Sequence, residues 1–101
     1  MSTKFMPVRI GGEEDTLLCP NCGGNFLHQE AVRIMNRDSE DKDGMMVEVG
    51  TNSEVSIRRI KSADIDGRRD VLRIRFSCEG CIGEKILRIM QHKGTTLIEW
   101  L

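Results

Sequence analysis

The sequence predicts a single all-β domain with little helix, in which an antiparallel sheet is inserted between two Cys-x-x-Cys pairs. Three observations predict this class. Several short segments alternate apolar and polar residues with the two-residue period of a β-strand. Turns that contain glycine separate these segments, as in β-hairpins. The cysteines of the 101-residue chain all fall in the two pairs, one near each end.

The composition of the N-terminal residues and the lengths of the apolar runs predict the domain boundaries and the cellular compartment. Residues 1–16 combine a proline, a Gly-Gly pair and three consecutive acidic residues, so we expect a flexible N-terminal arm before one domain over residues 17–101. The arm lacks the apolar segment of a signal peptide, and no run in the chain is long enough to cross a bilayer. We therefore expect a cytoplasmic protein with no membrane partner.

A first hairpin is predicted between residues 31 and 49. The segment AVRIMNR places Val32 and Ile34 on one face of a strand and its arginines on the other. The charged stretch DSEDKDG then forms a turn that ends in glycine, and MMVEVG returns as the second strand.

The second half of the chain predicts further strands. EVSIRRI is a short strand, and VLRIRFS alternates clearly, with Leu72, Ile74 and Phe76 on one face and Arg73 and Arg75 on the other. The ending EKILRIMQHKGTTLIEW predicts a second hairpin, with strands over residues 86–91 and 95–100. Its β-branched residues and the glycine that follows favour a strand over a helical turn.

The cysteine pairs have the spacing of metal ligands. In CPNCGG, the glycine after Cys22 permits a left-handed conformation that turns backbone amides toward sulfur, and the proline rigidifies the turn. In the second pair, CEGC, the glycines lie one residue before and two residues after Cys81, so the turn after that cysteine must be built differently. Two such pairs supply the four thiolates of a closed, structural zinc site: Cys19, Cys22, Cys78 and Cys81. The 55 residues between the pairs exceed the compact spacing, but the cost of loop closure grows slowly with length.

Other cysteine chemistry fits the sequence less well. An iron ion bound by four cysteines uses the same ligands, and the sequence does not separate it from zinc. A redox dithiol is typical of a βαβ pattern, which is absent, and two local disulfides would each close a very short loop and add little stability. We therefore predict structural Zn²⁺. Four thiolates leave no open position for a catalytic water.

The chain resembles the zinc-ribbon class, in which two knuckles on β-hairpins share one zinc ion. The resemblance lies in LLCPNCGG, RRDVLRIRFSCEGC and the ending LRIMQHKGTTLIEW, and it extends from about residue 17 onward. These segments are similar to small uncharacterised zinc-ribbon proteins of bacteria and their phages. The resemblance implies that the four cysteines are the ligands. The long insert and the shifted glycine after the fourth cysteine depart from the compact three-stranded ribbon.

Two charged clusters are candidate contact surfaces. One consists of arginines that could contact nucleic acid or a partner: Arg58, Arg59, Arg68, Arg69, Arg73 and Arg75. The other is an acidic loop that could bind a protein partner: Asp38, Glu40, Asp41 and Asp43. For both clusters the alternative is an ordinary solvated surface, because charged residues also protect sheet faces and edges.

Together these features predict a non-catalytic protein-interaction module. No nucleophile, base or open metal site is assembled, so we expect no enzyme and no small-molecule substrate. A specific form is a phage-encoded inhibitor or accessory of a host enzyme, of the anti-defence type, whose acidic turn mimics nucleic acid.

The alternative is a zinc ribbon that binds nucleic acid through its arginines, although few aromatic residues are present to stack on bases. Homo-oligomerisation is compatible with both, and Trp100 is expected to pack in the core.

Overall fold

The computed structural model describes residues 8–11, 15–39, 41–65 and 69–101. The predicted all-β class is confirmed, because the described chain is dominated by strands. Its regular structure beyond the strands is a three-residue 3₁₀ turn at Ser62–Asp64. The strands are β1 (Ile10–Gly11), β2 (Thr16–Leu17), β3 (Leu27–Asn36), β4 (Gly44–Val49), β5 (Val55–Ile60), β6 (Val71–Cys78), β7 (Cys81–His92) and β8 (Thr95–Trp100).

Six strands form one antiparallel sheet in the order β5-β4-β3-β6-β7-β8. Strands that are neighbours in the sheet are also consecutive in the chain, except for β3 and β6. These two are neighbours because the β5–β6 connection runs from the edge of the sheet back to its middle. The short strands β1 and β2 pair as a separate antiparallel sheet. Within the described ranges, no helix is long and apolar enough to span a membrane.

The predicted hairpins are confirmed, and the last one is longer than expected. Strands β3 and β4 pair around the charged turn, and β7 and β8 pair around a turn at Lys93 and Gly94. Strand β7 begins at Cys81, whereas the sequence predicted a start near residue 86. The extension follows from the pairing of Cys78 with Cys81, which starts the β6–β7 hairpin at the second cysteine pair.

The N-terminal region joins the core through the residues that the structure describes. Val8 packs against a buried cluster of Phe76, Leu87 and Trp100, and Ile10 pairs with Leu17. The predicted boundary at residue 16 therefore lies inside β2. The flexibility predicted for residues 1–16 remains a prediction, and residues 1–7 and 12–14 lie outside the described ranges.

One face of the six-stranded sheet is aliphatic, because residues that pair across the strands are apolar in two complete rows. We call it the aliphatic face. The first row is Ile57, Val47, Ile34, Leu72, Ile89 and Ile98. The second row is Val55, Val49, Val32, Ile74, Leu87 and Trp100. The Phe76–Leu87–Trp100 cluster is the buried corner of this face.

The opposite face carries charge, and we call it the arginine face. One row of cross-strand neighbours is Glu48, Arg33, Arg73, Arg88 and Glu99. The adjacent row contains a second buried cluster of Met35, Met46 and Val71, with Ile60 and Met90 packed against it.

The β5–β6 connection is fixed to the charged turn between β3 and β4. Arg37 is only 7% exposed, and its guanidinium donates to the Ser62 hydroxyl (2.9 Å). The Ser62 N–H in turn donates to the Asp43 carboxylate (2.8 Å). These contacts hold the connection near Met35 and Met46, which line one cavity with Lys61 and Asp64 of the connection. Ile65 in the same connection is also buried.

Candidate metal centre

The four predicted ligands come together at one end of the β6–β7 hairpin. Their sulfur atoms all lie within 4.8 Å of one another. Cys19 and Cys22 lie in the turn that follows β2, Cys78 ends β6, and Cys81 begins β7. The fold therefore brings together two pairs that 55 residues separate in the sequence, and four of the six strands of the large sheet, β3 to β6, lie between the pairs in the chain.

The first cysteine pair lies in a tight turn closed by backbone hydrogen bonds. The Cys19 N–H donates to the Gly24 carbonyl (2.8 Å), and the Gly23 N–H donates to the Cys19 carbonyl (3.0 Å). Gly23 has φ +74°, so the left-handed conformation predicted after the second cysteine is confirmed. This turn directs both thiols of the pair to the same side.

The second pair uses the hairpin turn itself. Cys78 and Cys81 are cross-strand neighbours, so the two residues between them form the whole turn. The Gly80 N–H donates to the Cys78 sulfur (3.3 Å). A Cβ atom on Gly80 would lie 3.3 Å from the Cys22 sulfur, so the glycine allows the two pairs to approach closely.

Contacts outside the sulfurs also join the two pairs. The Glu79 N–H donates to the Phe26 carbonyl (3.1 Å), and the Glu79 carboxylate lies 2.9 Å from His28 Nε2. Phe26 and His28 follow the first pair, and Glu79 lies within the second. The imidazole of His28 is therefore engaged in an exposed hydrogen bond across the site.

The sulfur separations fit one tetrahedral ion. The Sγ–Sγ distances are 3.6 Å for Cys19–Cys81 and 3.5 Å for Cys22–Cys78. A tetrahedral ion with metal–sulfur bonds of about 2.3 Å requires sulfurs roughly 3.8 Å apart. A disulfide would require about 2.05 Å, and all four cysteines are free thiols. The arrangement is thus suited to a metal ion bound by four thiolates.

Two of the four thiols are biased toward the thiolate form. The side chain of Asn21 donates to Cys81, and this hydrogen bond, with a smaller contribution from Lys85, outweighs burial and lowers the pKa of Cys81 to about 6. Burial raises the pKa of Cys19, but hydrogen bonds from the N–H groups of Cys22 and Asn21 outweigh it and leave that pKa lowered. Both sulfurs are therefore prepared to bind a cation.

Lys85 places a positive charge beside the sulfurs. It is 6% exposed, and its ammonium donates to the carbonyls of Ile82 (3.1 Å) and Gly83 (2.9 Å). Burial lowers the pKa of Lys85, but the neighbouring thiolates, first of all Cys81, leave it raised. A divalent ion with four thiolates has a net charge of about −2, which this ammonium partly offsets.

Zinc affinity is expected to increase with pH between pH 7 and pH 8. The Gly80 N–H lowers the pKa of Cys78, but burial and the hydrogen bond with Cys22 raise it to about 11. Cys78 therefore keeps its proton at pH 7 before binding and loses it to the metal, so the affinity should rise at least ~10-fold per pH unit. Competition with a chelator of known proton affinity measures this. Equal zinc affinities at the two pH values would contradict the assignment of Cys78 as a ligand.

The arginine cluster predicted from the sequence is partly assembled. Arg73 and Arg75 on β6 share the arginine face with Arg58 on β5, although two strands separate them. Arg59 follows Arg58 on the edge strand and lines one cavity with Arg58 and Arg73. Arg69 is exposed in the connection before β6, and Arg68 lies outside the described residues.

Sequence reasoning missed Arg33 and Arg88, which complete the arginine row. Arg33 pairs directly with Arg73 across the strands, and Arg88 pairs with Arg73 on the other side. Arg33 also forms an ion pair with Glu48 (3.3 Å), and Arg88 donates to Glu99. These arginines lie on different strands, so only the strand order reveals that they are neighbours.

The acidic loop is partly used by the fold itself. Asp43 accepts the backbone N–H of Ser62, as described above, and Asp41 accepts the hydroxyl of Ser39 (2.6 Å). The Ser39 hydrogen bond lowers the pKa of Asp41. Asp38 is exposed, and Glu40 lies outside the described residues. Contact between this loop and a partner remains a prediction.

Comparison of the chain with protein-family models, curated proteins and solved structures found no match. The four-cysteine cluster is compatible with a zinc-binding class. The resemblance to bacterial and phage proteins remains a prediction from the sequence.

Proposed function

We propose that the chain is a small, non-catalytic zinc-binding protein that acts as a protein-interaction module. Zinc is the ion typical of closed four-thiolate sites. Four cysteines fill every position of a tetrahedral ion, so the metal would have a structural role and activate no water. The function of the protein would then depend on contacts made by its surface.

The exposed aliphatic face supports the interaction role. Ile57 and Val55 on the edge strand are 66% and 64% exposed, and Ile34 in the middle of the sheet is 46% exposed. Apolar side chains exposed singly are ordinary on a protein surface, but contiguous apolar areas mark interaction sites. Here the exposed residues belong to two unbroken rows that cross all six strands.

A phage-encoded inhibitor or accessory of a host enzyme is the specific form of this proposal. Its support is the sequence resemblance and the charge of the turn between β3 and β4. In that turn Asp38 and Asp41 are exposed and present carboxylates to solvent. We therefore assign the contact with a host enzyme to this turn, and the aliphatic face remains the apolar contact surface of the module.

Partner binding should depend on the aliphatic face. With the immobilised zinc-loaded chain, Ile57→Lys is expected to lose the proteins captured by the wild type, because it places a charge in the apolar contact. Ile82→Lys is the matched control, since Ile82 is 98% exposed and lies outside the two rows. A partner retained equally by both variants would contradict the assignment of this face.

Nucleic-acid binding is the second candidate, and it is favoured by a groove on the arginine face. Two adjoining cavities of about 210 and 390 Å³ share Arg33 and Arg73. Arg75 lines the first and Arg58 lines the second. Glu48 lines the first cavity and forms ion pairs with both Arg33 and Arg58, which reduces the positive charge of the groove.

A salt titration separates this candidate from the first. If the groove binds DNA or RNA, affinity should fall steeply with salt, and Arg33→Ala should weaken binding and reduce the slope of log K against log salt by about 1. Arg69→Ala is the matched control, because Arg69 is exposed and does not line the two cavities. The absence of binding at low salt would eliminate the nucleic-acid function.

A further inference from the structure

We infer that two copies of this chain form a homodimer by packing their aliphatic faces against each other. The inference rests on the proposed function, because it names a second copy of the chain as the partner of that surface. Three features of the face support the homodimer: most of it is exposed, its area is large, and its composition and the low net charge of the chain suit a twofold contact.

The described residues cover only one corner of the aliphatic face. Val8, Leu17 and Leu27 pack against the Phe76–Leu87–Trp100 cluster, near the C-terminal end of β8. Farther from that corner the side chains stay open to solvent: Val55, Ile57, Val49, Ile34 and Ile98 are between 40% and 66% exposed. The exposed part includes both the β5 edge and the middle of the sheet.

The area of the aliphatic face, taken with the mixed row that borders it, approaches the requirement of a stable dimer. Six strands about 4.8 Å apart span roughly 29 Å, and these three rows span about 20 Å along the strands, which gives about 600 Å² in projection. The relief of the side chains adds to this, and a standard interface buries about 800 Å² on each partner.

The composition of the face resembles an interface with an apolar centre and a polar rim. The two aliphatic rows are bordered on one side by a mixed row in which Arg59 pairs with Met45, Met45 with Asn36, and Gln91 with Thr96. The polar residues of this row would border the apolar contact on that side and remain in contact with water.

Charge and symmetry favour a second copy of the same chain. The formal net charge is −1, so two copies repel each other only weakly. A twofold contact uses the same patch on both subunits, and two sheets pack face to face at about 10 Å. Full overlap places the middle strands β3 and β6 of each copy at the centre, where Ile34 and Leu72 would lie nearest the twofold axis.

The test is sedimentation equilibrium of the zinc-loaded full chain. We expect a species of twice the 11.5 kDa chain mass. Ile34→Lys should raise the dissociation constant at least about 100-fold, because two ammonium groups would be buried without partners. Ile57→Lys lies on the exposed edge strand and should weaken the dimer with less risk to the fold. Ile82→Lys should leave it unchanged, and zinc content and circular dichroism confirm folding.

Two results would overturn the homodimer. If the wild type remains monomeric up to about 1 mM, the face is not used by a second copy. The proposed function would then still stand, because capture of a different protein would continue to depend on Ile57. If a dimer forms but is unchanged in folded Ile34→Lys and Ile57→Lys, the contact lies elsewhere, and pairing of exposed strand edges becomes the explanation.

Discussion

Removal of zinc by a chelator at neutral pH is expected to unfold the domain. The two cysteine pairs join the turn after β2 to the β6–β7 hairpin, and strands β3 to β6 lie between the pairs in the chain. Structural zinc contributes about 10–16 kcal/mol of apparent binding energy, whereas a domain of this size has a total stability of about 5–15 kcal/mol. Loss of the ion should therefore remove most of the folding free energy.

Circular dichroism measures this result directly, since the strand signal should be lost as the metal is removed. The matched control is the same chelator saturated with zinc, which should leave the strand signal intact. Adding zinc back should restore the sheet. A chain that keeps its full strand content after its metal content falls to zero would show that the sheet folds without the cysteine site.

The substitution Trp100→Ala is expected to destabilise the zinc-loaded protein by about 3–5 kcal/mol. Trp100 is 2% exposed and lies edge to face with Phe76, with ring centroids 5.7 Å apart. It also pairs with Leu87 across β7 and β8, and it belongs to the buried cluster of the aliphatic face. Removing the ring leaves a cavity that the short strand cannot close.

Urea denaturation in excess zinc measures the change in unfolding free energy. Leu101→Ala is the control, because Leu101 is adjacent and 47% exposed, and it should change stability by no more than about 0.5 kcal/mol. Trp100→Phe should cost less than the alanine change, since it keeps a ring and removes an indole N–H that no described acceptor contacts. A cost below about 1 kcal/mol for Trp100→Ala would contradict the packing described here.

The strands and the metal ligands could be predicted from the sequence because both depend on local patterns. The alternation around Ile34 and around Ile74 gave the strands and their faces, and the two-residue spacing of the cysteines gave the ligands. The left-handed Gly23 was predicted for the same reason, since its conformation is set by the turn that contains it.

The features that the sequence did not reveal depend on the order of the strands. Arg33 and Arg88 lie on either side of Arg73 only because β3 and β7 both pair with β6. The role of Gly80 depends on the Cys22 sulfur, which belongs to the other end of the chain. The aliphatic rows were visible as separate strand patterns, but their continuity across six strands follows from the pairing register.

The central claim, that four cysteines hold one structural zinc ion, is tested most directly by metal analysis with X-ray absorption spectroscopy on protein purified under reducing conditions. We expect one zinc ion per chain, bound by four sulfur atoms at about 2.3 Å. A chain with no bound metal, or an ion with fewer than four sulfur ligands, would contradict it.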